Sequence, residues 1–211
     1  MIPYSTQYID KEDINSVIRS LKSKFITQGP LIERFEKKIC KLVKVKYAVA
    51  VSSCSAGLHL AAIVAGLKKG KTILTSPNTF CSTANSALHC GANVEFVDIE
   101  KDTGNISLEA IKQKLKKKKI HAIAPVHFGG LPIKMQNLKK IIKKKNIIVF
   151  EDAAHALGAK YEDGSMVGSC KFSDMTVFSF HPVKSITTGE GGIVTTNNKV
   201  FYEKLKNLRS H

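Results

Sequence analysis

The sequence predicts an α/β protein built on a mostly parallel sheet of seven strands flanked by helices, and three observations carry that reading. From Tyr47 onward, apolar runs of strand length alternate with amphipathic stretches of helix length. Most of the runs are continuously apolar, as expected of strands covered on both faces rather than one. No internal repeat or low-complexity linker interrupts the rhythm.

In chain order, a first helix is expected over residues 11–23, followed by a strand over 47–52 (Tyr-Ala-Val-Ala-Val-Ser) and an apolar helix over 55–67. The second strand covers 72–75, with a helix over 82–89, and the third covers 94–98, with a helix over 107–118. Strands at 122–126 and 147–151 bracket a helix at 135–145. The last two strands lie at 175–180 and 192–196, and a closing helix spans 199–210. One interval breaks the pattern. Residues 153–174 show no periodicity, contain Gly158, Gly164 and Gly168, and follow the most apolar strand, and loops of that length are usually functional.

Composition narrows the class. With 211 residues, 43% of them apolar, the chain can bury roughly 70% of its unfolded surface. No apolar run is long enough to cross a bilayer, and no basic stretch leads into a signal-like apolar segment, so a cytoplasmic protein without membrane contact is expected. Cys40, Cys54, Cys81, Cys90 and Cys170 are odd in number and widely spaced, which points to reduced thiols and to no metal site. A net charge of +16 invites a nucleic-acid reading, but 30 of the 33 basic residues are lysine and only Arg19, Arg34 and Arg209 are arginine, the usual base reader. The lysines of 114–119 and 139–145 fall at helix ends, where cations suit the helix dipole and point into water. No nucleic-acid partner is expected.

In a doubly wound sheet, ligands bind beyond the carboxyl ends of the strands, so the chemistry is sought there. Ser52-Ser53-Cys54-Ser55-Ala56-Gly57 follows the first strand with small side chains and free amides at a helix N-terminus, suited to an anion, although serine capping alone would explain the serines. Phe80 follows the second strand in Ser76-Pro77-Asn78-Thr79-Phe80, where core packing is its ordinary alternative. Glu151-Asp152 ends the fifth strand with Ala153-Ala154-His155 just beyond; an isolated Asp there more often caps a turn. After the sixth strand, His181-Pro182-Val183-Lys184 puts one lysine on a stiffened connection before Gly189-Glu190-Gly191-Gly192. Together these parts supply a phosphate cradle, a ring to stack on, an acid for a pyridine nitrogen and an amine nucleophile. They describe a pyridoxal 5'-phosphate site.

The stretches Glu-Asp-Ala-Ala-His-Ala-Leu-Gly at 151–158 and Phe-Ser-Phe-His-Pro-Val-Lys-Ser-Ile-Thr-Thr-Gly-Glu-Gly-Gly at 178–192 resemble the DegT/DnrJ/EryC1/StrS sugar aminotransferases, and the likeness runs along the whole chain. The resemblance implies the large domain of a fold type I pyridoxal phosphate-dependent transferase. Lys184 would be the Schiff-base lysine, Asp152 the partner of the pyridinium nitrogen, and Phe80 the stacking ring. His155 would lie near the phenolic oxygen, and Ser55, Ala56 and Ser179 would hold the phosphate. The opening Pro3-Tyr4-Ser5 and the stretch 23–30 are similar to the branch that aminates the 4-keto carbon of a UDP-linked 6-deoxy-N-acetylhexosamine, with glutamate as donor, on the way to pseudaminic acid or a related surface sugar. Tyr4, Lys24, Phe25, Ile26, Thr27, Cys54 and Ser179 would then touch the nucleotide sugar.

The resemblance also implies a substrate-contacting segment over 1–30, a cofactor-binding domain over 31–211, a homodimer, and a small C-terminal domain that this chain lacks, so the chain reads as a fragment. Two departures stand out: Cys54-Ser55 replaces the family's usual Gly-Thr in the phosphate turn, and His127-Phe128-Gly129-Gly130 replaces a more aromatic pattern. Serine keeps the hydroxyl, so phosphate binding should survive. A dehydratase of the same family would carry histidine at position 184, and a dinucleotide enzyme would need glycine spacing that 189–192 lacks.

Overall fold

The structure is a computed structural model that describes residue 2, residues 5–143 and residues 145–210. Seven strands form one sheet: β1 Tyr47–Val51, β2 Thr72–Thr75, β3 Asn93–Phe96, β4 Ala122–Ile123, β5 Ile148–Asp152, β6 Met175–Ser179 and β7 Gly192–Thr196. Their order across the sheet is β1-β7-β6-β5-β4-β2-β3. Every pairing is parallel except those of β7, which runs antiparallel to both β1 and β6. The expected mostly parallel α/β sheet is what forms.

Alternate residues of each strand enter two different apolar layers. Ala48, Leu74, Ile123, Val149, Phe178 and Ile193 pack on one face, under Ile39, Val43, Ile111 and Leu138. Their strand neighbours Val49, Ile73, Ala122, Phe150, Val177 and Val194 pack on the other, under Leu58, Ala61, Ala62, Ala87 and Leu205. Because both faces are covered, the strands read as continuous apolar runs. The covering helices are α1 Lys11–Leu21, α2 Pro30–Val43, α3 Cys54–Val64, α4 Ser82–Leu88, α5 Leu108–Lys117, α6 Met135–Ile142 and α7 Lys199–Arg209. Helix α1 is closed by an Asp10–Asp13 capping box but buries none of its side chains. Ile14, Val17, Ile18 and Leu21 all face outward from it.

Helix α2 was not among the expected elements. Gly29 and Pro30 start it, with proline at the first helical position where its missing N–H is harmless, and Ile39 and Val43 are its buried face. β4 is cut to two residues because Pro125 has no N–H to donate, although Val126 still bridges to Asp152. β5 is shifted one residue along from the expected 147–151, so Asp152 is its last paired residue. The long interval after β5 is also no open loop: Ala153, Ala156, Tyr161, Val167 and Cys170 are buried in it and pack into the first layer.

Candidate active site

β1, β2, β4, β5 and β6 end on one edge of the sheet, and the antiparallel β7 begins there, so all six connections converge. Between them lies a cleft of about 520 Å³, lined by Ser53, Cys54, Phe80, Asp152, His155 and Lys184 among others. That volume lies in the range of small-molecule and cofactor sites.

One wall is the start of α3. Ser53 Oγ accepts the Ala56 N–H at 3.1 Å, so the Ala56 amide is taken up by the cap, while Cys54 and Ser55 keep the cleft-facing positions. Ser55 and Ser82 share a hydroxyl hydrogen bond of 2.7 Å, which ties α3 to α4 at the rim. The start of β7 comes so close that a Cβ on Gly192 would stand 2.6 Å from the Ser53 carbonyl carbon and oxygen. Only glycine admits that approach. Burial, and secondarily the nearby Asp152, pushes the Cys54 thiol well above its usual range, so it lies in the cleft as an uncharged group.

Asp152 is 4% exposed and points to the α4 side of the sheet. Its Oδ2 accepts from Thr83 Oγ1 at 2.6 Å and its Oδ1 from the Ala154 N–H at 3.1 Å. Thr83 and Thr79 hydroxyls are 2.7 Å apart; because the single Thr83 proton goes to the carboxylate, Thr79 donates to Thr83. Opposite, Lys184 Nζ and His155 Nε2 are hydrogen bonded at 2.7 Å. Burial lowers the pKa of both groups, and for His155 the neighbouring Lys184 lowers it further. An amine that sheds its proton more readily than an exposed lysine is a better nucleophile and proton carrier.

Phe80 stands at the rim with 74% of its surface exposed, so it is no core residue and its ring is free to cover a planar ligand. Ser179, buried at the end of β6, also lines the cleft. Lys24, Phe25, Ile26 and Thr27 do not: they are exposed and lie outside the cleft. Tyr4 lies outside the described residues. The N-terminal segment nevertheless reaches the site, since Ser5 Oγ donates to the Val183 carbonyl at 3.2 Å, one residue before Lys184. Thr83 was not expected at the site, and Asn78, His127 and Glu190, which stand in the stretches singled out along the sequence without a site role, line the cleft as well. The residues around Thr83, Ser-Thr-Ala-Asn-Ser, show only a small polar helix, and nothing local marks its hydroxyl as a partner of Asp152.

The arrangement can hold an anion at the α3 N-terminus, keep a proton on a ring nitrogen at Asp152, and present an amine at Lys184. The sequence profile of the DegT/DnrJ/EryC1/StrS aminotransferase family matches residues 7–211. The chain belongs to that family. Among relatives in it, a UDP-4-amino-4,6-dideoxy-N-acetyl-beta-L-altrosamine transaminase from Campylobacter jejuni is 46% identical over 213 residues, covering 100% of this chain and 55% of the relative. PseC from Helicobacter pylori, described as an aminotransferase involved in the biosynthesis of pseudoaminic acid, superposes with a TM-score of 0.91 at 36% identity, over 99% of this chain and 56% of that one. The pyridoxal phosphate form of a sugar aminotransferase described as putative, Spr1654 from Streptococcus pneumoniae, gives 0.89 at 28% identity, over 98% of this chain and 57% of that one. The chain thus spans about half the length of the aminotransferase-family relatives it matches.

Proposed function

We propose that the protein is a pyridoxal 5'-phosphate-dependent nucleotide-sugar aminotransferase. It moves an amino group, with L-glutamate as donor, to the 4-keto carbon of a UDP-linked 6-deoxy-N-acetylhexosamine on the way to pseudaminic acid or a related surface sugar. The observation that carries the reading is the meeting of Lys184, His155 and Asp152 in one cleft that the N-terminus of α3 also lines. The name of the Campylobacter relative supports the substrate, and the pyridoxal phosphate form of the Streptococcus structure supports the cofactor.

When bound, the cofactor supplies an electrophilic carbon for amines and a ring that delocalises the negative charge left by a departing α-proton. The cleft fits such a group, because the cradle at Ser53–Cys54 exists only through the missing Cβ of Gly192, and an open aromatic face waits at Phe80. Ser55, the amides of Cys54 and Ser55, and Ser179 would hold the phosphate; Asp152, oriented by Thr83, would hold a proton at the ring nitrogen. Lys184 would hold the cofactor through its Nζ and would move protons at the substrate carbon, while His155 keeps that amine placed. The exposed segment 24–27 reaches the sugar nucleotide only if it folds further over the cleft, on the side where Ser5 meets Val183. All five thiols are free and no described helix is long and apolar enough to cross a membrane, in keeping with a cytoplasmic enzyme. The outward apolar row of α1 supports a homodimer.

The test is product mass from glutamate and the 4-keto UDP-sugar, together with borohydride reduction and peptide mapping of the bound cofactor. Amination lost in Lys184→Ala and an adduct on Lys184 are expected. An adduct on another residue overturns the assignment of Lys184, and turnover restricted to non-sugar keto acids overturns the substrate.

A further inference from the structure

β5 places two carboxylates side by side, and the cleft uses only Asp152. Side chains alternate across a strand, so Glu151 points to the opposite face, where it is fully buried. Four donors converge on it: His127 Nε2 at 2.7 Å, Tyr161 OH at 2.5 Å, Thr176 Oγ1 at 2.8 Å, and Ser173 Oγ. Burial alone would raise its pKa, but the bonds from His127, Ser173 and Tyr161 outweigh it and hold the carboxyl below the usual range. His127 Nδ1 accepts the Ile133 N–H at 3.1 Å, so the ring proton sits on Nε2 and the ring faces Glu151 as a donor. A fully buried carboxylate that needs four side-chain donors to satisfy it is a costly way to fill space, which calls for a role beyond packing.

That role follows from what His127 holds in turn. Its backbone N–H donates to the Asp152 carbonyl at 3.0 Å, and the Asp152 N–H donates to the Pro125 carbonyl at 2.9 Å, closing the end of β4 onto the end of β5. The turn that follows, Phe128–Gly130, is pinned by Phe128 N–H to Asn105 Oδ1 at 2.9 Å and lines the cleft. At its far end Gly130 presses on His155: a Cβ there would lie 2.7 Å from the His155 carbonyl oxygen. One chain of contacts therefore runs from Glu151 through His127 to the backbones of both Asp152 and His155.

The geometry points to Glu151 as a positioning residue of the cleft, acting through His127 to set the backbone from which Asp152 and His155 project. The inference rests on the reading of that cleft as a pyridoxal phosphate site, so its test includes a readout that needs no cofactor. In the natural full-length protein, Glu151→Ala is expected to speed amide hydrogen exchange at 127–130 and 152–158 at least about tenfold without changing that of α7. It should also weaken pyridoxal phosphate binding by about tenfold and shift the pH midpoint of the bound chromophore. Glu151→Gln, whose amide oxygen can still receive His127 and Tyr161 while Ser173 and Thr176 turn to accept, should restore all three to within about threefold. Tyr161→Phe, which leaves the His127 contact intact, should lower the melting temperature without moving the pH midpoint. His127→Gln reads the same link should Glu151→Ala fail to fold. Unchanged exchange, affinity and pH midpoint in the folded variant would show that the network only packs the core. Failure of the wild-type protein to bind pyridoxal phosphate, with exchange still responding to Glu151, would overturn the cofactor reading and leave the positioning role standing.

Discussion

Thr83→Val removes one hydroxyl from a fully buried helix residue and leaves its branched shape in place. What is lost is the 2.6 Å hydrogen bond onto Asp152 Oδ2 and the acceptor for Thr79. Thr79 is partly exposed and can turn to water, so its loss is small. The bond to the carboxylate is the larger quantity, about 1.5–3 kcal/mol for a hydrogen bond to a charged group. Among the described residues, the Asp152 carboxylate then retains only the Ala154 amide at 3.1 Å. A net cost near 2 kcal/mol corresponds to a fall of roughly 4–8 °C in the melting temperature of a chain this size. A carboxylate free to turn also grips the ring nitrogen less well, and about 1.4 kcal/mol of that loss weakens cofactor binding about tenfold. Thermal melting of the cofactor-free protein and a spectroscopic titration with pyridoxal phosphate measure the two effects. Thr79→Val, which leaves the Thr83–Asp152 bond untouched, is the control and should show less than half of each. If Thr83→Val melts and binds like the wild type, Thr83 does not orient Asp152.

Other substitutions probe the remaining parts of the cleft. Asp152→Asn should keep the fold but cut turnover by about 10–100-fold, the worth of a charge-assisted hydrogen bond; unchanged kcat would leave this carboxylate only a capping role. Gly192→Ala puts a methyl 2.6 Å from the Ser53 carbonyl and must push the phosphate turn aside, so it should weaken pyridoxal phosphate more than pyridoxal, which equilibrium titration of both compares. Burial holds the Lys184 pKa below its ordinary 10.5, so cofactor capture followed by absorbance should rise with pH at a midpoint under that value. The unfolded chain binds the extra proton between the two pKa values, so this lysine's contribution to stability improves as pH rises through that window. Lys184→Ala should remove both pH effects.

Much of this architecture is legible along the chain because it is encoded in neighbours. Covered strands carry apolar residues on both faces, so β5, β6 and β7 stand out in the sequence, and strand-end chemistry follows them within a few residues, as with Lys184 after His181-Pro182. Amphipathic α2 is equally local, since Gly29-Pro30 with Ile39 and Val43 is a readable start and face. Partners distant in sequence are another matter. Thr83 meets Asp152 across 69 residues, His127 meets Glu151 across 24, and the reversal of β7 brings Gly192 onto Ser53. Residue types and periodicity determined which segments become strands and helices and which reactive groups stand at their ends. Strand order and register, which no local pattern specifies, decided that Asp152 faces Thr83 and the cleft while its neighbour Glu151 faces the interior, since adjacent side chains on a strand point to opposite sides.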